Sequence, residues 1–188
     1  PTPTGSPTLV RHDIGDANLF SWSHDGKLLY SSEQMVAHIY AVTLDPSSHE
    51  VRGTPKKLTG ATEMNRWPAV SPDGTQIAYL AYTALPIQAG KAALRVTGID
   101  GQQDREVIRM FMLFVSAIDW LNNDEVVVSG RITPQGPQGL HAISTGTGNV
   151  RPIFVHPDAL GHLAVSPDKR RIAFIYGLQN SRFYTVGV

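Results

Sequence analysis

The side chains of this sequence best suited to chemistry are its seven histidines, because the chain has no cysteine. Imidazole is then the ligand a metal such as zinc would use. The histidines lack the helical or hairpin spacing of a ligand pair, and only His156 and His162 lie near each other, on either side of a five-residue segment. We therefore predict no metal site and no cofactor.

Nucleophilic and phosphate chemistry have no motif here. A serine hydrolase places its nucleophile in a Gly-x-Ser-x-Gly turn, and the sequence contains no such segment. The Walker phosphate loop and the Gly-x-Gly-x-x-Gly dinucleotide fingerprint are also absent. The glycines Gly146 and Gly148 are more simply a turn between strands. We therefore assign no catalytic residue.

Three aspartates recur in similar surroundings. Asp25 follows Ser-His, whereas Asp73 and Asp168 each follow Ser-Pro. An aspartate in a turn commonly accepts hydrogen bonds from its own backbone two residues further on. We interpret all three as turn residues rather than as acids or bases.

The segment around Asp73 is the clearest copy of a repeated unit. Apolar residues 69–70 lead into Pro72-Asp73-Gly74, where proline presets φ and glycine accepts a positive φ. Alternating Ile77 and Tyr79 lead out of the turn. This pattern predicts a β-hairpin.

Four such hairpins follow one another along the chain. Their turn residues Asp25, Asp73, Asn123 and Asp168 are 48, 50 and 45 residues apart. A repeat of this length built from strands is typical of a β-propeller, whose blades are four-stranded antiparallel sheets. The third copy departs from the pattern at Asn122-Asn123-Asp124. No segment has a sustained helical period, so we predict an all-β propeller of four blades.

The two ends of the chain fit each other in this scheme. The Pro- and Thr-rich residues 1–7 are predicted to be a leader or linker, and residues 8–188 the propeller domain. Residues 8–14 have strand character but no blade, while blade four has only three predicted strands, the last at residues 182–186. We expect the first strand to complete the last blade in a closed four-bladed ring. The alternative is that the four blades are part of a larger propeller, which a second copy could complete. A closed ring would be a monomer, and two half-rings would be a homodimer.

Charge and hydropathy limit the partners. Lys and Arg number 16, as do Asp and Glu, so no long-range field favours nucleic acid. No run approaches the roughly 18 apolar residues of a transmembrane helix. We expect neither a nucleic-acid partner nor a membrane span.

The hairpins resemble the WD40-like, or PD40, repeat of the TolB-type propellers. The resemblance rests on Val-Ser-Pro-Asp at residues 70–73 and 165–168, each followed by Ile-Ala and an aromatic residue, and is strongest at residues 39–45, 54–59 and 67–74. It extends from about residue 17 onward. Similar repeats occur in bacterial periplasmic binding and sensor domains, in oligogalacturonate lyases and in prolyl-oligopeptidase-like hydrolases. The resemblance implies the propeller fold and a periplasmic or extracellular location.

The residues that enter the innermost strand of each blade form the candidate binding site. In a propeller this entry face is where the central channel opens. Leu19, Trp67, Ala117 and His162 occupy the same position, six residues before each turn residue. We expect Trp67 to be partly exposed, and Trp22 and Trp120 to pack between sheets. The predicted ligand-binding set is Asn18, Asn65, Arg66, Trp67, Ser116 and His162.

Two functions fit this set. The first is a non-catalytic binding domain, such as a periplasmic or sensor module, whose entry face takes a protein, a small molecule or a glycan. The second is a carbohydrate-active, lyase-like or hydrolase-associated propeller with a metal in its channel. Only one blade supplies a histidine at the matched position, and no carboxylates pair there. The sequence therefore favours binding.

Ring closure can be tested by truncation. Deleting residues 1–14 removes the strand expected to complete blade four, so we expect unfolding or association through the exposed sheet edge. Deleting only residues 1–6 should change neither the melting temperature nor the native mass. A stable monomer after the longer deletion would contradict closure by this strand.

Overall fold

A computed structural model describes residues 17–22, 24–25, 27–32, 36–60, 64–82, 91–111, 117–156, 159–177 and 184–187. Residues 8–14, which we expected to complete blade four, lie outside this set. The chain divides into two compact units, residues 1–35 and 36–188. Each unit is described by itself.

The first unit contains one antiparallel hairpin. Strand β1 (Ala17–Trp22) pairs with β2 (Leu28–Ser32). The turn between them contains Asp25, whose carboxylate forms an ion pair with Lys27. This is the first of the four predicted hairpins.

The second unit is a series of antiparallel sheets in chain order. Its strands are β3 (Tyr40–Leu44) and β4 (Val51–Lys57); β5 (Met64–Val70), β6 (Gln76–Tyr82), β7 (Lys91–Gly98) and β8 (Arg105–Phe111); β9 (Ile118–Trp120), β10 (Glu125–Arg131), β11 (Gln138–Ser144) and β12 (Val150–Val155); and β13 (Ala159–Val165), β14 (Ile172–Gly177) and β15 (Tyr184–Gly187). We call β1–β4 blade one, β5–β8 blade two, β9–β12 blade three and β13–β15 blade four.

Blades two and three have the predicted four strands in sequential order, and the described residues contain no helix. The all-β, propeller-type prediction is confirmed at this level. Blade one differs from the prediction, because β1–β2 and β3–β4 form separate two-stranded sheets. The backbone just before β3 is bonded elsewhere: Ala37 O accepts from Asn65 N at 3.1 Å, and Ile39 N donates to Thr59 Oγ1 at 3.0 Å.

Neighbouring blades of the second unit share apolar cores. The largest core joins blades two and three around Trp120, Leu80 and Leu94, none of which has measurable solvent exposure. A second core packs Ile39 and Leu58 of blade one on one face of β6. A third packs Val127 and Leu140 of blade three against blade four. The prediction that Trp120 packs between sheets agrees with this arrangement.

The β5–β6 turn is built as the sequence indicates. Asp73 Oδ1 accepts hydrogen bonds from Ser71 Oγ at 2.6 Å, Thr75 N at 3.0 Å and Thr75 Oγ1 at 2.8 Å. In blade four, Asp168 Oδ1 accepts from Ser166 Oγ at 2.6 Å. These bonds lower the pKa of both aspartates. Their carboxylates are therefore engaged in turn structure.

The degenerate turn of blade three uses a neighbouring residue for the same purpose. Asn122 Oδ1 accepts from Asp124 N at 2.8 Å and from Glu125 N at 2.9 Å. An asparagine oxygen can replace the carboxylate because the turn needs an acceptor rather than a charge. The hairpin thus forms although Pro-Asp-Gly is missing.

Gly74 provides a test of the turn geometry. Its φ is +73°, and a Cβ added there would meet nothing within 4 Å. Gly74→Val should therefore lower the free energy of unfolding through backbone strain alone, by about 1–3 kcal/mol. Gly146→Val is the matched control, because that turn glycine is equally open and has no positive φ. Equal losses in urea denaturation would show that φ does not matter at Gly74.

Candidate functional site

Three of the four innermost strands, β1, β5 and β13, share a departure from regular pairing. Between Leu19 and Ser21 of β1, Arg66 and Ala69 of β5, and Gly161 and Leu163 of β13, the strand has one residue more than its partner. Such β-bulges bend a strand and redirect a side chain, and they are enriched beside functional sites. The bulge recurs at the position predicted for the entry face.

Two of these bulges hold a non-glycine residue at positive φ. Trp67 has φ +54° and His162 has φ +24°. A bulky side chain rarely adopts this conformation, and at Trp67 the following Pro68 further restricts the backbone. Strain of this kind costs on the order of 1–3 kcal/mol and is concentrated at functional sites. The two residues aligned by sequence therefore share an uncommon backbone geometry.

Trp67 belongs to a small aromatic and cationic cluster. Its ring lies 5.7 Å from that of Tyr82 in an edge-on arrangement, and the guanidinium carbon of Arg66 lies 5.9 Å from the Trp67 ring centroid. Trp67 and Arg66 are half-buried, as expected for Trp67, whereas Tyr82 is buried. We call Arg66, Trp67 and Tyr82 the blade-two cluster.

Electrostatics within the cluster follow from its burial. Loss of hydration raises the pKa of Tyr82 to about 12, and the positive charge of Arg66 opposes this shift. Tyr82 therefore stays neutral at physiological pH, and the Arg66 guanidinium lies against the Trp67 ring. The cluster can thus offer a cation and a ring face to the same ligand.

Asn65 has a structural role. It is 6% exposed, and its Nδ2 donates to Ala37 O at 3.0 Å. Its backbone N donates to the same carbonyl. Asn65 thus ties β5 to the segment before β3.

The other predicted residues lie on separate elements. His162 is exposed on β13, within the strand and not in a loop before it as predicted. Arg66 and Trp67 likewise lie within β5. Both strands thus begin before the predicted entry positions. Asn18 is on β1 of the first unit, and Ser116 lies outside the described residues.

Tyr82 was missed by the sequence prediction. Regular pairing from Val70 and Ile77 would place it opposite Asn65. The extra residue in β5 instead pairs Met64 with Tyr82 and Arg66 with Leu80. The available signal for the bulge was the dipeptide Trp67-Pro68, because proline interrupts ladder hydrogen bonding and is frequent at bulges.

A cavity lies at the turn end of blade two. It is a polar cavity of about 420 Å³ lined by Thr75, Gln76, Val96, Thr97, Gly98, Gln103 and Arg105. Arg105 Nη1 donates to Thr145 O of blade three at 2.7 Å. Gln76 and Tyr82 are at opposite ends of β6, about 20 Å apart at ~3.3 Å per residue. The cavity is therefore separate from the blade-two cluster.

The described residues contain neither a candidate metal cluster nor a membrane-spanning helix. No group of three or more His, Asp or Glu side chains in this part of the chain could hold a metal ion. Over the same residues, no helix has the length and apolarity needed to cross a bilayer.

Solved structures similar to this fold are propellers. TolB from Acinetobacter baumannii is 19% identical, with a TM-score of 0.62 over 90% of this chain and 40% of that one. A putative TolB from Agrobacterium tumefaciens is 15% identical, with a TM-score of 0.57 over 90% and 74%. An oligogalacturonate lyase in complex with manganese is 12% identical, with a TM-score of 0.54 over 89% and 48%.

The chain thus spans about two fifths of the A. baumannii TolB structure. No protein-family model matches the sequence, and no curated protein matches it significantly. At these identities the similarity establishes the fold alone.

Burial of Tyr82 predicts a dependence of stability on pH. Its folded pKa of about 12 is above the value of about 10 for unfolded tyrosine. The contribution of Tyr82 is therefore complete below pH ~10 and is lost as the pH rises from there to ~12. Tyr82→Phe should reduce this loss in denaturation at alkaline pH, whereas Tyr40→Phe, at a position 56% exposed, should leave it unchanged. Identical pH profiles for both variants would contradict the assignment.

Proposed function

We propose that this chain, which has the fold of the TolB-like, WD40-like β-propellers, is a non-catalytic binding domain whose entry face holds the ligand. The observation that supports this most directly is the half-buried Trp67 at positive φ with Arg66 beside its ring. The fold tolerates backbone strain there and leaves part of a large aromatic side chain in solvent. A ligand that stacks on the ring would gain both its area and the adjacent charge.

A protein partner suits this chemistry best. Trp, Tyr and Arg are the residue types that dominate binding energy at protein interfaces, and all three meet in the blade-two cluster. His162 occupies the matched bulge of blade four and extends the proposed surface. Asn18 and Ser116 remain part of the proposal by alignment only. A small molecule or a glycan is the other ligand class to test.

The location that we propose is the bacterial periplasm or the cell exterior, as the resemblance of the repeats implies. We do not propose for this chain the activities of the longer propellers that share this fold. The alternative function, an enzymatic propeller with a metal in its channel, is separated from ours by metal analysis of the purified protein. A stoichiometric divalent metal would contradict the non-catalytic proposal.

Binding can be measured with defined probes. Peptides selected from a random displayed library, oligogalacturonate and a neutral oligosaccharide would each be titrated against the whole chain. We expect at least one probe to bind and to lose about tenfold or more in affinity, about 1.4 kcal/mol, in Arg66→Ala and in Trp67→Ala. Trp67→Phe should retain part of the affinity because it keeps a ring.

The matched control is Arg170→Ala. Arg170 is exposed in the turn between β13 and β14, at the opposite end of the strands from the entry face. The Arg170→Ala substitution removes one positive charge, as Arg66→Ala does, but leaves the blade-two cluster intact. Equal losses in Arg66→Ala and Arg170→Ala would indicate a charge effect alone, and probes that ignore both cluster variants would contradict the proposed site.

A further inference from the structure

One face of β3 exposes a row of large apolar side chains. Tyr40, Val42 and Leu44 alternate along the strand and are 56%, 46% and 50% exposed, and Val51, paired with Leu44 on β4, is 57% exposed. The opposite face, with Ile39 and Ala41, packs on blade two. We call Tyr40, Val42, Leu44 and Val51 the leading face of blade one.

Equivalent positions in the next two blades are buried. The hairpin after the third strand closes with the same backbone bond in each blade: Asp45 N to Glu50 O, Gly98 N to Gln102 O, and Ser144 N to Asn149 O. Leu44 therefore corresponds to Thr97 and Ile143. Thr97 is 1% exposed and Ile143 is fully buried.

The face carrying these residues is the one that meets the preceding blade. Ile143 packs in the core shared with blade two. Thr97 alternates with Val96, which faces blade three, and so points towards blade one. In blades two and three this face meets the blade before it. The leading face of blade one is therefore suited to contact with another blade.

Blade four has a surface of the complementary type. Leu163, Val165, Ile172 and Phe174 pack on blade three, so the alternate residues Ala164, Ala173 and Ile175 lie on the other face. Ala164 is exposed, and Ala173 and Ile175 are half-buried. We call these three residues the trailing face of blade four.

The trailing face matches an interface already present in the fold. The pair Ala164 and Ala173 corresponds to Ala69 and Ala78 of blade two, and Ile175 corresponds to Leu80. Ala78 and Leu80 are fully buried against blade three. Blade two thus shows how such a face packs on the next blade.

We propose that the leading face of blade one binds the trailing face of blade four in a second copy of this chain. Blade four and the β3–β4 hairpin belong to one compact unit, and the leading face is still exposed there. The contact is head-to-tail, so a pair of copies keeps one free trailing face on the first copy and one free leading face on the second. Such a contact builds a ring if the rotation closes and an open chain of copies otherwise.

The test uses the whole 188-residue chain in sedimentation velocity over a range of concentrations. The wild type should show a mass that rises with concentration. Val42→Asp and Ala164→Asp should each raise the apparent dissociation constant about tenfold or more, since each places a charge in one apolar face. Val155→Asp is the control: that residue is 51% exposed on β12 of blade three and lies on neither face.

Mixing the two variants separates head-to-tail contact from every other kind. The Val42→Asp copy keeps an intact trailing face and the Ala164→Asp copy an intact leading face, so their mixture should form a complex of one copy of each. A monomeric wild type would overturn the proposal, and that measurement needs no variant to fold. The proposal would also be overturned if the mixture failed to associate. It would be overturned as well if Val42→Asp weakened association and Ala164→Asp did not.

Discussion

The three-residue strand β9 is the contact on which the arrangement of blades two, three and four depends. Trp120 has no measurable exposure, and its indole Nε1 donates to Ala69 O of blade two at 2.8 Å. On the other side, Trp120 O accepts from Lys169 Nζ of blade four at 3.0 Å. Asp119 Oδ2 accepts from Val165 N at 2.7 Å. One short strand thus bonds to both neighbouring sheets.

This contact combines burial with directional bonds. The apolar area of Trp120 stabilises the core between blades two and three by a few kcal/mol, and this gain does not depend on orientation. The hydrogen bond to Ala69 O does depend on orientation, because a buried donor without a partner would cost about 1–3 kcal/mol. The spacing between neighbouring blades is therefore set by polar groups and stabilised by apolar ones.

Local chemistry explains which parts of the fold were predictable. The Pro-Asp-Gly turn and the alternating strands can be recognised in sequence, because each depends on residues a few positions apart. Even the degenerate turn formed, since Asn122 provides the acceptor that the turn requires. The same reasoning did not predict that β1–β2 and β3–β4 form separate two-stranded sheets, nor the bonds that join residues 37 and 39 to the distant Asn65 and Thr59.

The candidate site was predictable in position but not in geometry. Alignment of Trp67 with His162 selected two bulged residues, yet no local pattern indicates a positive φ at Trp67, and Pro68 argues against a helical backbone there. The bulge adds one residue, and a shift of one residue moves side chains to the other face of a strand. The bulge thereby pairs Tyr82 with Met64 rather than with Asn65.

The two ends of the blades therefore have different capacities for binding. At the turn end, the acceptor oxygens of Asp73, Asn122 and Asp168 are used by their own turns. A ligand that bound to these Oδ1 atoms would have to break bonds that hold the hairpins. At the entry end, Trp67 and His162 have strained backbone conformations, and the energy of the buried cores and of the β9 bonds offsets this strain. Trp67 remains half-buried beside Arg66. The Asp73, Asn122 and Asp168 oxygens thus serve hairpin structure, whereas part of the Trp67 ring at the entry end is accessible to solvent.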